Sequence, residues 1–251
     1  MPVFAANLSM LFKEYPFLER FAAARRAGFE AVEILFPYDI SARDILKASE
    51  SAKIPIILIN TPPPNWAGGD RGFAAIPGGQ DRFRHDFKRA LRYAEVLGAK
   101  MVHIMSGVAD GPEAMATMID NLAWATDWAP KQLLTIEPIN PLDIPGYFLN
   151  DFDLAADILD AVAAPNLALQ FDAYHAQRIT GDVIGTWQAH RPRIGHVQVA
   201  DTPRRHEPGT GEINFAEFFS QLDADGYQGH VSAEYHPKQS TEAGLGWLKR
   251  S

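Results

Sequence analysis

The sequence predicts a closed (β/α)8 barrel, on three observations. Strand-like and helix-like patterns alternate from end to end. The pairs number eight. The strands are short, largely apolar runs of the kind that parallel sheet buries on both faces. A length of 251 residues is ordinary for one such barrel, so a single domain over 1–251 is expected. No G-x-G-x-x-G or G-x-x-x-x-G-K-[ST] follows any strand, so the usual nucleotide-fold fingerprints are absent.

The elements follow in order. "VFAANLSM" (3–10) is the first strand, and a helix starting near Pro16 carries Phe17, Leu18 and Phe21 and stops at Gly28. "AVEILF" (31–36) leads to a helix over 41–51, and "PIILIN" (55–60) to a Pro/Gly-rich connection, 61–79. That connection exceeds a usual βα loop. It would lie on the catalytic face as a lid, with Trp66 available to cover a pocket. The next helix places Phe83, Phe87, Leu91, Ala94 and Leu97 on one face and closes at Gly98. "MVHIMSG" (101–107) precedes a helix with Met115, Met118, Ile119 and Leu122. "LLTIEPI" (133–139) precedes one that Asn150 or Asp151 caps. "LALQFDAYH" (167–175) is sixth, with a helix over 181–190, and "IGHVQVAD" (194–201) is seventh. Asn214 caps the following helix, with Glu217 placed for a capping box. "GHVSAEY" (229–235) is eighth, and a short helix ends the chain.

Composition narrows the function. With no cysteine, disulfides, thiolate metal sites and cysteine catalysis are excluded. A net charge of −8 argues against a nucleic-acid surface. No run of eighteen apolar residues occurs, so no membrane span is expected. The first residues lack a basic, signal-like segment, which makes a cytoplasmic location the expectation.

Barrel active sites lie at the C-terminal strand ends. Strand 5 ends in Glu137, strand 6 in Asp172 with His175 shortly after, strand 7 carries His196 and Gln198, and strand 8 carries Glu234. One strand-end carboxylate is more often a cap or an ion pair. Four oxygen-bearing residues on consecutive strands are harder to explain that way. Three carboxylates converging in a low-dielectric mouth repel one another, and a divalent cation removes the problem. Glu137, Asp172, Gln198 and Glu234 form an all-oxygen set, which favours Mg²⁺ or Mn²⁺ over zinc. His196 and Gln198 lie two apart and face the same side, so either qualifies as the ligand. Glu33 and His103 also interrupt apolar strands, and each either meets substrate hydroxyls or bonds within the barrel. After strand 7, Arg204 or His206 offers a donor to a substrate carboxylate, against the plainer reading of a solvated loop.

"FAANLSMLF", "AGFEAVEILFPYD", "TIEPIN", "QFDAYHAQ", "GHVQVADTPRRHEPGTGEINF" and "AEYHP" together resemble the hydroxypyruvate isomerase family. That group includes 2-oxo-tetronate isomerases and sits among the xylose-isomerase-like TIM barrels. The resemblance covers nearly the whole chain, and "RHEPGTGEIN" is its most specific piece. It implies a barrel acting on a small hydroxy-carbonyl acid, with Glu137 and Glu234 as the acid/base pair and Glu137, Asp172, Gln198 and Glu234 as metal ligands. It also implies that His175 and Arg204 contact substrate. Related epimerases often carry histidine where Gln198 stands. The leading expectation is conversion of hydroxypyruvate to tartronate semialdehyde through a cis-enediolate. A 2-oxo-tetronate isomerase or a ketose 3-epimerase is the nearest rival, and an inosose-dehydratase-like lyase, a DNA-repair nuclease or a non-catalytic sugar-binding protein stands further off. Barrels of this type often pair through helices or loops, which makes a homo-oligomer an expectation.

Overall fold

The computed structural model describes residues 2–63 and 71–249. Eight strands, β1 (Val3–Asn7), β2 (Ala31–Ile34), β3 (Ile56–Asn60), β4 (Met101–His103), β5 (Leu133–Ile136), β6 (Leu167–Asp172), β7 (Ile194–Val199) and β8 (His230–Ala233), close into one barrel. They stand in chain order and every neighbouring pair is parallel, including β1 with β8. The barrel fold class read from the sequence is therefore the fold observed. Around it run α1 (Arg20–Ala27), α2 (Ala42–Ala52), α3 (Gln80–Leu97), α4 (Gly111–Trp128), α5 (Phe152–Val162), α6 (Ala173–Thr180), α7 (Val183–His190) and α8 (Phe215–Ala224). Among the described residues no helix is long and apolar enough to cross a membrane.

Side chains alternate across each strand, so each strand feeds two layers. Outward, Phe171 of β6 packs on Phe152, Trp187 and Phe218 of the surrounding helices, with ring centroids 5.6 to 5.8 Å apart. Inward, the layers change character along the axis. The N-terminal end of the barrel is plugged by Ala5, Ala31, Leu58 and Met101. The C-terminal half is filled instead by Asn7, Glu33, His103, Thr135, Gln170, Asp172, His196, Gln198, Ser232 and Glu234, all buried. Most of these groups bond one another, as buried polar groups must, though among the described residues the His103 ring and the Ser232 hydroxyl have no hydrogen-bond partner.

Several boundaries differ from the sequence reading. The sixth strand stops at Asp172, and α6 begins at Ala173 rather than the strand running to His175. Asp172 serves both elements, because its Oδ1 accepts the Tyr174 N–H at 2.8 Å as the α6 N-cap. The helix near Pro16 splits into a 3-10 turn, Phe17–Glu19, and α1. Asp151, not Asn150, caps α5 by accepting the Leu154 N–H at 2.9 Å. Asn214 caps α8 through the Glu217 N–H at 3.3 Å, as expected. Trp66 lies outside the described residues.

The connection from β7 to α8 is built on one side chain. Asp201 Oδ1 accepts the Thr202 and Ile213 N–H groups at 2.9 and 3.1 Å, and Oδ2 accepts those of Gly209 and Gly211 at 2.9 and 2.8 Å. Four backbone donors of one loop thus converge on one buried carboxylate. Gly211 has no room for a side chain: a Cβ there would lie 1.7 Å from the Thr202 carbonyl oxygen. Replacing Asp201 with Ala leaves those donors unpaired. It should lower the unfolding free energy by about 3 kcal/mol or more, read by urea denaturation. A loss below about 1 kcal/mol would show that the loop holds itself.

Candidate active site

The polar half of the barrel opens into a cavity of about 330 Å³ at the C-terminal strand ends, lined by Glu137, His103, His175, Arg205 and Glu234 among others. Each comes from the end of a different barrel strand or from the loop after it. Strand period two accounts for the alignment: Thr135 and Glu137, Gln170 and Asp172, His196 and Gln198, Ser232 and Glu234 are paired two apart.

Below the cavity lies Glu33. Its Oε1 accepts Asn7 Nδ2 at 2.9 Å and Gln198 Nε2 at 2.7 Å, and its Oε2 meets His196 Nε2 at 2.9 Å. Burial works to raise its pKa, but the bond and charge of His196 and the two amides outweigh it and hold Glu33 below the usual carboxylate range. Glu33 is therefore a satisfied floor beneath the cavity, not a group offered to substrate.

The upper acids are different. Glu137 Oε2 accepts Gln170 Nε2 at 3.1 Å, while its buried Oε1 takes no hydrogen bond. Burial, then repulsion from Glu234 and Asp172, pushes Glu137 well above 4.5. Burial likewise raises Glu234 well above 4.5, against the pull of Arg205. Asp172 rises to about 6, again chiefly from burial. Two glutamines connect the glutamates. Gln170 donates to Glu137 and to Gln198 Oε1, the latter at 2.7 Å, and Gln198 in turn donates to Glu234. Gln198 stands where expected, but its amide is turned. Its NH₂ faces Glu33 and Glu234 and its carbonyl is taken by Gln170.

The loop after β7 supplies the cation, and it is Arg205 rather than Arg204. Arg205 Nη2 lies 2.7 Å from Glu234 Oε1 and 3.2 Å from Asp172 Oδ2, and Nη1 lies 3.9 Å from Asp143 Oδ2. Its guanidinium sits 5.1 Å from the Tyr174 ring centroid. Arg204 is exposed. Adjacent residues of a turn point different ways, and Arg205 adopts φ 56, a conformation that loop composition does not reveal. His206 does not line the cavity either; its Nδ1 meets the His236 carbonyl at 2.7 Å, and it is His236 that lines the mouth.

His103 and His175 are neutral. Burial lowers His103 to about 3 and takes His175 well below 6.5. The tautomer of His175 follows from its neighbour. Asn140 Oδ1 accepts the Leu142 and Asp143 N–H groups, both at 3.1 Å, which turns its NH₂ toward His175 Nδ1 at 2.8 Å. The Asn140 backbone N–H donates to the same nitrogen at 3.2 Å. Nδ1 is thus the acceptor and the proton sits on Nε2. That N–H points at Asp172 Oδ2 and Glu137 Oε1, 3.7 and 3.9 Å away, beyond direct bonding.

Glu137, Asp172 and His175 bring potential ligand atoms within 4.8 Å of one another, but in the tautomer set by Asn140 His175 has no free lone pair, which leaves the carboxylates as the donors that could hold a metal ion. The fit is independently supported by the unbonded Glu137 Oε1 and by the three raised carboxyl pKa values, since a divalent cation relieves both. Sequence reasoning missed Asn7, Gln170, Arg205 and His236. Gln170 had a readable signal, two residues before Asp172 on the same strand.

Comparison with known proteins bears on the fold and the family. A family model described as a xylose isomerase-like TIM barrel matches residues 21–251. The chain is 46% identical to a 2-oxo-tetronate isomerase of Cupriavidus necator, over 99% of this chain and 98% of that protein. It is 43% identical to a hydroxypyruvate isomerase of Escherichia coli, over 98% and 97%. A crystal structure from Brucella melitensis described as AP endonuclease, family 2, matches with a TM-score of 0.96 at 42% identity, over 100% of this chain and 99% of that one. An E. coli 3-keto-D-glucoside 4-epimerase matches with a TM-score of 0.80 over both whole chains, and at 20% identity it shows the fold alone.

The pKa shifts give a pH signature. In metal-free protein the raised carboxyls bind more protons folded than unfolded, so they lower stability as pH rises from about 4.5 through their raised values. The lowered histidines act oppositely, but only up to about pH 6.5, the unfolded value. Above that only the carboxyl trend remains. As pH rises, wild-type stability with EDTA should therefore fall more, or rise less, than that of Glu137→Gln. Thermal melts of both proteins across a pH series check it, and parallel pH profiles would refute it.

Proposed function

The chain belongs to the xylose isomerase-like TIM barrel family and its full-length named relatives are isomerases, and from that premise we propose that it is a metal-assisted isomerase of a small hydroxy-keto acid, with Glu137 and Glu234 as its proton-transfer pair. The leading substrate is hydroxypyruvate, with tartronate semialdehyde as product. The observation that carries the reading is the pair of buried, pKa-raised glutamates bordering one small cavity. The 46% likeness to a 2-oxo-tetronate isomerase favours a second substrate of the same class, one carbon longer.

Glu137, Asp172 and Glu234 would hold the ion, and Gln198 would become the fourth oxygen donor only with its amide turned so that the carbonyl leaves Gln170. When bound, a divalent cation stabilises negative charge that develops on substrate oxygens. The protein's own groups do the rest. One glutamate, ionised, takes the proton from the hydroxyl-bearing carbon. A carboxylate with a raised pKa is a stronger base for that purpose. The resulting enediolate collapses when the other glutamate returns a proton to the neighbouring carbon, while the hydroxyl proton passes to the former carbonyl oxygen, so that the old hydroxyl carbon becomes the new carbonyl. The His175 Nε2–H, aimed between Glu137 and Asp172, donates to a substrate oxygen without charging its ring. Arg205 keeps Glu234 and Asp172 oriented. The net charge of −8 gives the phosphodiester chemistry suggested by the name of the Brucella structure little electrostatic support.

Glu137→Gln and Glu234→Gln should each cut turnover at least about 10³-fold while the protein stays folded by circular dichroism. The assay supplies hydroxypyruvate and 2-oxo-tetronate to Mn²⁺- or Mg²⁺-loaded protein and identifies the product by NMR. Undiminished turnover in either variant removes the two-glutamate mechanism, and a dehydrated product would replace it with a lyase.

A further inference from the structure

The two sides of the cavity differ in charge. Glu137, Asp172 and Glu234 belong to the β5, β6 and β8 ends, and Arg205 is already engaged by Glu234, Asp172 and Asp143. The β1–β4 side is mostly apolar, with Met10, Leu35, Phe36 and Met105. It carries one full positive charge, Arg71, which also lines the cavity. His103, His175 and His236 line the cavity too, but they go with its acidic side: His103 and His175 lie 3.7 and 3.9 Å from Glu137, and His236 follows Glu234 by two residues. Among the described residues Arg71 has no carboxylate partner.

The backbone after Arg71 is tightly anchored. Gly72 pairs with Ser106 in an isolated antiparallel bridge just beyond β4. Its φ of +105° disfavours a side chain, and a Cβ there would lie 2.1 Å from the Met105 carbonyl oxygen. The Ala75 N–H donates to the Ser106 carbonyl at 2.8 Å, and buried Asn121 donates to the Ala74 carbonyl at 2.9 Å. The start of this segment is therefore clamped to the end of β4. In an eight-strand ring in chain order, β4 stands opposite β8, the strand that leads to Glu234.

We propose that Arg71 is the carboxylate-binding residue of the cavity, holding the acid group of the substrate across the mouth from the cluster of Glu137, Asp172 and Glu234. This deepens the hydroxy-keto acid reading and rests on it. A substrate whose hydroxyl and carbonyl oxygens face the acidic cluster must turn its own carboxylate away from that negative charge. Away from the cluster the wall offers, among the described residues, one guanidinium with no carboxylate partner, Arg71. Arg71 thus selects keto acids over neutral ketoses, which lack the group it binds.

The test compares hydroxypyruvate with dihydroxyacetone, which carries a hydroxymethyl in place of the carboxylate. Calorimetric binding to Mn²⁺-loaded protein and steady-state kinetics are both measured. Arg71→Met should weaken hydroxypyruvate binding about 10- to 100-fold, with KM rising alike and kcat within about twofold. Dihydroxyacetone should lose at least ten times less, and Arg71→Lys should recover part of the loss. Melting temperatures check that each variant is folded. Equal weakening of both compounds, or unchanged hydroxypyruvate binding, overturns the assignment. The two readings fail separately. Acid bound through Arg71 but never isomerised leaves this subsite standing and removes the proposed reaction. Acid isomerised with Arg71→Met indifferent does the reverse.

Discussion

The site is governed by an excess of buried negative charge. Glu33, Glu137, Asp172 and Glu234 share one barrel mouth, where Arg205 is the guanidinium paired with Asp172 and Glu234. Like charges at about 4 Å repel by about 4 kcal/mol at the effective dielectric typical of proteins, so such a cluster must be compensated. Glu33 receives two amides and an imidazole, and its pKa falls. Glu137 and Asp172 receive fewer donors, and Glu234 receives three, yet burial raises all three, with neighbouring acids adding to the rise. Position alone does not separate a structural acid from a reactive one here. The balance of burial, donors and neighbouring charge does.

The compensating groups are mostly neutral, which has a chemical consequence. Asn7, Gln170 and Gln198 orient the carboxylates without lowering their basicity as a second cation would. A lysine in place of Gln170 would settle Glu137 as a permanent ion pair and depress its pKa. Amides hold the glutamates in place and leave them able to exchange protons. Asn140 acts in the same way on His175, setting the tautomer through two donors while leaving the ring uncharged.

The sequence made the barrel legible because two periodicities alternate along it and each is enforced by burial. The inward side chains of β5 to β8 were legible for the same reason: strand period two put Glu137, Asp172, Gln198 and Glu234 in line. What escaped lies where periodicity stops. "FDAYHAQ" reads as continued strand because Ala173, Tyr174 and Ala176 are all buried, yet Asp172 turns the chain into α6 by capping it. Arg204 and Arg205 are chemically identical neighbours in a loop, and only its folding around Asp201 distinguishes them. Glu33 was visible as an oddity in β2, but its role depends on contacts with Asn7 and His196, 26 and 163 residues away in sequence.

The barrel separates chemistry from recognition by placing them on opposite staves. The acidic groups depend on one another through Gln170, Gln198 and Arg205, so a change at one alters the ionisation of the rest. Above Asn7 and Glu33, the β1–β4 residues that line the cavity include no carboxylate. Met10 and Met105 are unbranched and adaptable, and they impose little shape selection. On that wall the rigid element is the clamp of Gly72 against Met105 and Ser106, with Arg71 beside it. Discrimination there falls to charge more than to shape, and it can change without disturbing the ionisation balance that the acidic half must keep.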